Sequence, residues 1–288
     1  MGLNAVKELL NNHGFRFSKS MGQNFLIDAN IPEKLVRLAG FDESCGVLEV
    51  GPGLGALTLE LCRKAGRVTA VELDKRLIPI LRDKLAGVSN IEVVQGDILK
   101  LDLKKLVSEK MQGMSYHVCA NLPYSITTPA LTTLIGAGIF KTITVMVQRE
   151  VARRMCAEPG SSEYGAFTVY VNWHTEPETL FDVPPDCFMP RPGVYSSILR
   201  MKTRAQKRLG PEDEAMLFRV VRAAFGQRRK TLVNALNAVF GNEIEKEEMA
   251  ELVSKCGYDT RTRGETLGID GFAQLSACIM KKLQVDKS

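Results

Sequence analysis

Four consecutive residues, Asn121-Leu122-Pro123-Tyr124, set a side-chain amide, a backbone carbonyl, a rigid turn and an aromatic ring side by side. That combination suits one chemical problem. The exocyclic amine of an adenine is a poor nucleophile because its lone pair is delocalised into the ring. Accepting its hydrogens pulls the nitrogen toward a tetrahedral shape and frees the pair. The Asn121 side-chain oxygen and the Leu122 carbonyl can accept those hydrogens, and Pro123 stiffens the turn that aims them. Tyr124 offers a face on which a base can stack, worth about 1–3 kcal/mol. Attack on an activated methyl group then needs mainly positioning.

A second constellation lies upstream. In Leu48–Thr58, LEVGPGLGALT, the glycines Gly51, Gly53 and Gly55 permit a tight turn and close approach of backbone N–H groups to a ligand. The spacing Gly51-x-Gly53-x-x-Ala56 also satisfies a dinucleotide fingerprint, so the loop alone leaves NAD and S-adenosyl-L-methionine both open. Glu72 follows Gly51 by 21 residues, where an acid reaches ribose hydroxyls. Asp74 is suited to capping the next helix. Asp97, in the segment QGDIL, is placed for an adenine amine. Three consecutive strands thus deliver Gly51, Glu72 and Asp97 to one sheet edge, which favours methyl transfer.

The elements that must position these groups are legible as short apolar runs alternating with helical patterns. Strands are predicted at 46–50, 68–72, 91–95, 117–120 and 142–147, with helices at 56–64 and 75–85. This alternation predicts an α/β fold with a doubly wound parallel sheet; joined to the glycine loop and its acids, it is expected to be a Rossmann-like class I methyltransferase domain. Residues 166–173 and 197–202 read as two further strands separated by a proline-rich loop, closing the sheet with an antiparallel edge. Residues 203–211, TRAQKRLGP, read as a linker. Helical periodicity at 212–225, 229–240, 246–256 and 270–283 then predicts a small all-α C-terminal domain. The expected division is residues 1–203 for the methyltransferase domain and 204–288 for a helical RNA-binding domain.

Composition narrows the alternatives. A 288-residue chain with 45% hydrophobic residues can bury a core without staples. Its net charge of +5 permits a nucleic-acid partner without requiring one. Seven scattered cysteines without a CxxC pair, and three distant histidines, signal neither a disulfide framework, nor a metal site, nor a Ser-His-Asp triad. No apolar run is long enough to cross a membrane and reduced cysteines fit the cytosol, so a cytoplasmic protein with no membrane partner is expected; a monomer is expected as well.

On these motifs the chain resembles the ribosomal RNA adenine dimethyltransferase family, the KsgA type. GQNFL (22–26), EVGPGLG, VELD, GDIL, NLPYSITTP (121–129), VQREVARRM (147–155), Tyr164-Gly165, FMPRPGVYS (188–196) and AFGQRRKTL (224–232) carry the resemblance over almost the whole sequence. The resemblance implies S-adenosyl-L-methionine as cofactor, held by Asn24, Leu26, Gly51, Gly53, Glu72, Asp97, Ile98 and Asn121. It implies Phe188 as a second aromatic facing Tyr124 across a flipped base. It further implies transfer of four methyl groups to N(6) of two adjacent adenosines in a hairpin near the 3′ end of 16S rRNA, within an assembling small (30S) ribosomal subunit. Arg222, Arg228, Arg229 and Lys230 form a basic cluster expected to grip RNA phosphates, and six Lys or Arg without an acid in 191–208, together with Arg16 and Lys19, extend that expectation. Rival readings are a large-subunit adenine methyltransferase of the macrolide-resistance type and a non-catalytic ribosome assembly factor. The first would be told apart by which subunit accepts methyl groups. The intact Glu72, Asp97 and Asn121 turn argue against the second.

Overall fold

A computed structural model describes residues 6, 8, 23–204 and 209–285 of the chain. Arg16 and Lys19 lie outside the described residues. The chain divides into two compact units, one formed by 1–152 with 176–203 and the other by 153–175 with 204–288.

The first unit is built on a seven-stranded sheet. Its strands are β2 (Cys45–Val50), β3 (Arg67–Glu72), β4 (Ile91–Gln95), β5 (Ser115–Asn121), β6 (Thr142–Gln148), β7 (Thr175–Val183, of which Thr175 belongs to the second unit) and β9 (Ser196–Thr203). A separate short ribbon pairs β1 (Phe25–Leu26) with β8 (Phe188–Met189). Five helices connect the strands: α1 (Asn30–Ala39), α2 (Ala56–Cys62), α3 (Leu77–Lys84), α4 (Leu103–Lys110) and α5 (Thr127–Ala137). The sheet order is β4-β3-β2-β5-β6-β9-β7. Strands β2 to β6 run parallel, and β9 returns antiparallel against β6. Every residue of β2 is buried, as expected for a central parallel strand covered on both faces. From β2 the chain adds β3 and β4 on one side, then returns to place β5 on the other. The crevice beyond the carboxyl ends of β2 and β5 is therefore the topological switch point, where such sheets bind ligands.

The second unit is helical: α7 (Ala166–His174), α8 (Pro211–Gly226), α9 (Leu232–Phe240), α10 (Lys246–Lys255) and α11 (Ile269–Val285), with α6 (Arg149–Met155) running across the division. Its core joins Val169 and Trp173 to Leu217, Leu236, Phe240, Phe272 and Leu275.

Two expectations need correction. Residues 166–173 form a helix, not a strand. The run AFTVYVNW is β-branched and apolar, and over nine residues a buried helix shows no clear period; packing against α8 outweighs its strand propensity. The edge strand is instead β7, whose alternating exposure is weak because Glu176, Glu178 and Asp182 interrupt it. The single division at 203/204 also differs from the observed one, since 153–175 pack with the C-terminal helices.

Candidate active site

An open-mouthed, mostly apolar cleft lies at the switch point, where such sheets bind their ligands. Asn24, Leu26, Gly51, Gly53, Glu72, Asp97, Ile98, Asn121, Leu122, Pro123 and Tyr124 all line it.

The glycine loop takes its shape from backbone conformation. Gly51 and Gly53 have φ of 67° and 59°, the left-handed region that strains any residue with a Cβ. A Cβ on Gly53 would also sit 3.0 Å from the Phe25 ring. The turned loop aims the Gly53 N–H at Glu72, donating to Oε2 at 3.1 Å, while the Asp74 N–H donates to Oε1 at 2.9 Å. Glu72 is thereby clamped at the tip of β3, and burial pushes its carboxyl up from the usual range against the pull of those two donors. Asp74 is a bridge: it accepts from Gln23 Nε2 at 3.0 Å and pairs with Arg76 at 2.7 Å, which holds its acid below the usual range. At the tip of β4, Asp97 accepts from the Leu99 N–H at 3.0 Å, so its carboxylate is fixed at the cleft wall.

Beneath the loop sits Glu49, which sequence reasoning passed over. It is 1% exposed, lines the cleft, and its Oε2 has no hydrogen-bond partner among the described residues. Burial pushes its acid up to about 8. Burial likewise pushes Lys84 down to about 8, with the charge of Glu49 opposing. An orphaned acid in a cleft wall suits a ligand that carries positive charge, and S-adenosyl-L-methionine carries both a sulfonium and an ammonium group.

At the end of β5 the Asn121 amide Nδ2 donates to the Asn24 carbonyl at 3.1 Å. That bond fixes the amide orientation and leaves Oδ1 as an acceptor. Pro123, at φ −56°, leads into a single 3-10 turn over Tyr124–Ile126, braced by the Thr127 hydroxyl donating to the Pro123 carbonyl at 3.2 Å. The Tyr124 hydroxyl meets Ser196 Oγ at 2.7 Å across the β6–β9 pair, an interaction between residues 72 apart that no local pattern announces. Burial raises the Tyr124 phenol above its usual range, against the opposing pull of the Ser196 hydrogen bond.

Phe188 departs from expectation. It is 3% exposed, pairs in register with Leu26, packs with Val183, Cys187 and Ile198, and does not line the cleft. Its ring holds the β1–β8 ribbon to the core instead of facing Tyr124. The basic residues also separate. Arg228 donates to Glu265 Oε2 and to the Ser162 carbonyl, each at 2.7 Å, so it fastens the second unit internally. Arg222, Arg229 and Lys230 are exposed, and no acid lies within ion-pair distance of them among the described residues. In the 191–208 run, Arg191 pairs with Asp186, Arg200 and Lys202 share Glu178, and Arg204 donates to the Asn172 carbonyl.

A sheet of this order, with acids at the tips of the two strands after the glycine loop, is that of a Rossmann-like class I methyltransferase. The model of one family, described as ribosomal RNA adenine dimethylase, matches residues 14–265, and the chain belongs to that family. Ribosomal RNA small subunit methyltransferase A of Geobacillus thermodenitrificans (strain NG80-2) is 44% identical over 283 residues, 97% of each chain. The protein of the same name from Geobacillus kaustophilus (strain HTA426) is 45% identical over 274 residues, 94% of each. Among solved structures, a dimethyladenosine transferase from Plasmodium falciparum superposes with TM-score 0.78 at 27% identity, over 90% of this chain and 98% of that one. The 23S rRNA methyltransferase ErmE superposes with TM-score 0.69 at 26% identity, over 89% and 99%.

Proposed function

We propose that this chain dimethylates N(6) of two adjacent adenosines near the 3′ end of 16S rRNA in the small ribosomal subunit, acting as a cytoplasmic monomer. The observation that carries the chemistry is the Asn121 amide, pinned through its nitrogen so that its oxygen is left to accept. When bound, S-adenosyl-L-methionine supplies an electrophilic methyl group. Glu72 would accept from the ribose hydroxyls and Asp97 would meet the adenine amine of the cofactor, while its positive charge would draw the buried Glu49 acid into the ionised form. Asn121 Oδ1 and the Leu122 carbonyl accept the hydrogens of the target amine and bring its lone pair forward. Tyr124 stacks on the target base, its hydroxyl tethered to Ser196 so that the ring keeps one orientation. Each transfer forms an N–CH3 bond as the S–CH3 bond breaks, and one amine proton leaves to water, so after the first a single N–H remains and one acceptor suffices for the second. Arg222, Arg229 and Lys230 on the helical unit bind phosphates, which position the RNA without reading sequence.

Relatives named for the small subunit, 44–45% identical over at least 94% of each chain, support this substrate over the large-subunit alternative. The test is incubation with labelled S-adenosyl-L-methionine and small subunits that lack the modification, followed by mapping of the labelled nucleotides. Label confined to two adjacent adenosines supports the reading; label only in large subunits overturns it.

A further inference from the structure

The loop leading into β9 ends in two exposed apolar residues, Val194 at 42% and Tyr195 at 43%. Tyr195 is not loose. The Arg149 guanidinium carbon lies 4.7 Å from the ring centroid, and the Arg149 N–H donates to the Tyr195 carbonyl at 2.9 Å. Arg149 is itself steadied by Asp182 at 3.9 Å, which also accepts from the Ser197 hydroxyl. Tyr195, Arg149, Asp182 and Ser197 therefore share one side of the sheet edge. Ser196, between Tyr195 and Ser197, turns to the opposite side and holds the Tyr124 hydroxyl.

Two aromatic rings are thus mounted back to back on one strand end, one reached through Ser196 and the other at Tyr195. A tyrosine needed only for packing would be buried. This one keeps ring area in solvent with a cation against it, which is how sequence-tolerant base stacking is built. Exposed Arg191 on the same loop adds positive charge, although it also pairs with Asp186. A flat-faced polyanion fits these features; an apolar peptide would leave the guanidinium without a role.

We propose that Tyr195, backed by Arg149, is the stacking platform for the unpaired base next to the adenosine being methylated. The proposal rests on the function proposed above. Extruding one base breaks its stack with the neighbour. Tyr195 replaces that broken stack on the far side of the sheet edge, so the two adjacent bases are splayed across β9. The platform binds RNA and does not touch the reacting amine, so it lowers KM without changing the chemical step.

The experiment compares Tyr195→Ala and Tyr195→Phe with wild type, using the full chain, S-adenosyl-L-methionine and small subunits lacking the modification. Tyr195→Ala should raise KM for the subunits by about 5- to 150-fold, the effect of removing one stacked base. Its kcat and its affinity for S-adenosyl-L-methionine should stay within a factor of two of wild type. Tyr195→Phe, which keeps the ring, should restore KM to within about three-fold of wild type. An unchanged KM in folded Tyr195→Ala, or a Phe variant as impaired as the Ala variant, overturns the proposal. If wild type leaves small subunits unlabelled, the proposed function fails instead. Cosedimentation of the same variants with small subunits then still decides the platform, since Tyr195→Ala must bind more weakly than wild type and Tyr195→Phe.

Discussion

Glu72→Ala tests the cofactor assignment most directly. In the structure the carboxylate already accepts two backbone N–H groups, at 3.1 and 2.9 Å, and its remaining lone pairs face the cleft. A hydrogen bond to a charged acceptor contributes about 1.5–3 kcal/mol. Losing one such bond to a ribose hydroxyl raises the Kd for S-adenosyl-L-methionine about 10- to 150-fold, since 1.4 kcal/mol is tenfold. Stability responds differently. Truncation strands the Gly53 and Asp74 N–H groups but also removes a carboxyl that burial disfavours in its charged form. These effects oppose each other in Tm and not in Kd, so the assay is titration calorimetry with the cofactor, with Tm confirming that the variant is folded. Glu72→Gln keeps the shape and one acceptor, and should fall between. Binding to the ribosomal subunit in the absence of cofactor should be unchanged. A folded Glu72→Ala protein whose Kd lies within a factor of two of wild type refutes the reasoning.

Four further outcomes are expected. Asn121→Ala should abolish most turnover at saturating cofactor and RNA, measured as a single-turnover rate; a rate within two-fold of wild type removes the amide from the chemistry. Arg228→Ala should lower Tm with an unchanged salt dependence of subunit binding, because its partners are Glu265 and Ser162. The pair Arg229→Ala/Lys230→Ala should do the reverse, flattening the logarithmic salt slope by about 0.7–0.9 for each phosphate no longer neutralised. Glu49→Gln concerns pH: the native acid sits at about 8 against an ordinary 4.5, so its contribution to stability is present at low pH and is lost as pH rises from about 4.5 to 8. The variant cannot ionise there, so its Tm relative to wild type should rise between pH 5 and pH 8; a pH-independent difference contradicts the buried-acid picture.

Much of the site is readable in sequence because its parts are local. A glycine loop between a strand and a helix, and acids at the next two strand ends, are set by neighbours within about ten residues, and Gly51, Glu72, Asp97 and Asn121 all line one cleft. What escaped was set at long range. Glu49 looks like one more residue of an apolar strand until the sheet buries it. Ser196 gains its role only when β9 lies against β6. Phe188 reads as an aromatic beside prolines, and only the ribbon with β1 shows why it is buried. Arg228 sits in a basic run, yet its partners are 37 and 66 residues away, so charge density alone does not show what it holds. Ala166–His174 lacks a period because its surroundings are apolar on most sides.

The two-stranded ribbon of β1 and β8 ties together chain ends that belong to different ligands. Residues 24–26 line the cofactor cleft, with the Asn24 carbonyl on Asn121, while Met189, paired with Phe25, opens the loop that ends in Tyr195. A cofactor that orders the first strand would also order the start of the loop proposed above to meet RNA. Such a tie makes the two ligands thermodynamically reciprocal: whatever factor the cofactor contributes to RNA affinity, RNA must return to cofactor affinity. Where that factor exceeds one, the enzyme would hold its substrate more tightly before the methyl group is spent than a pair of independent sites would.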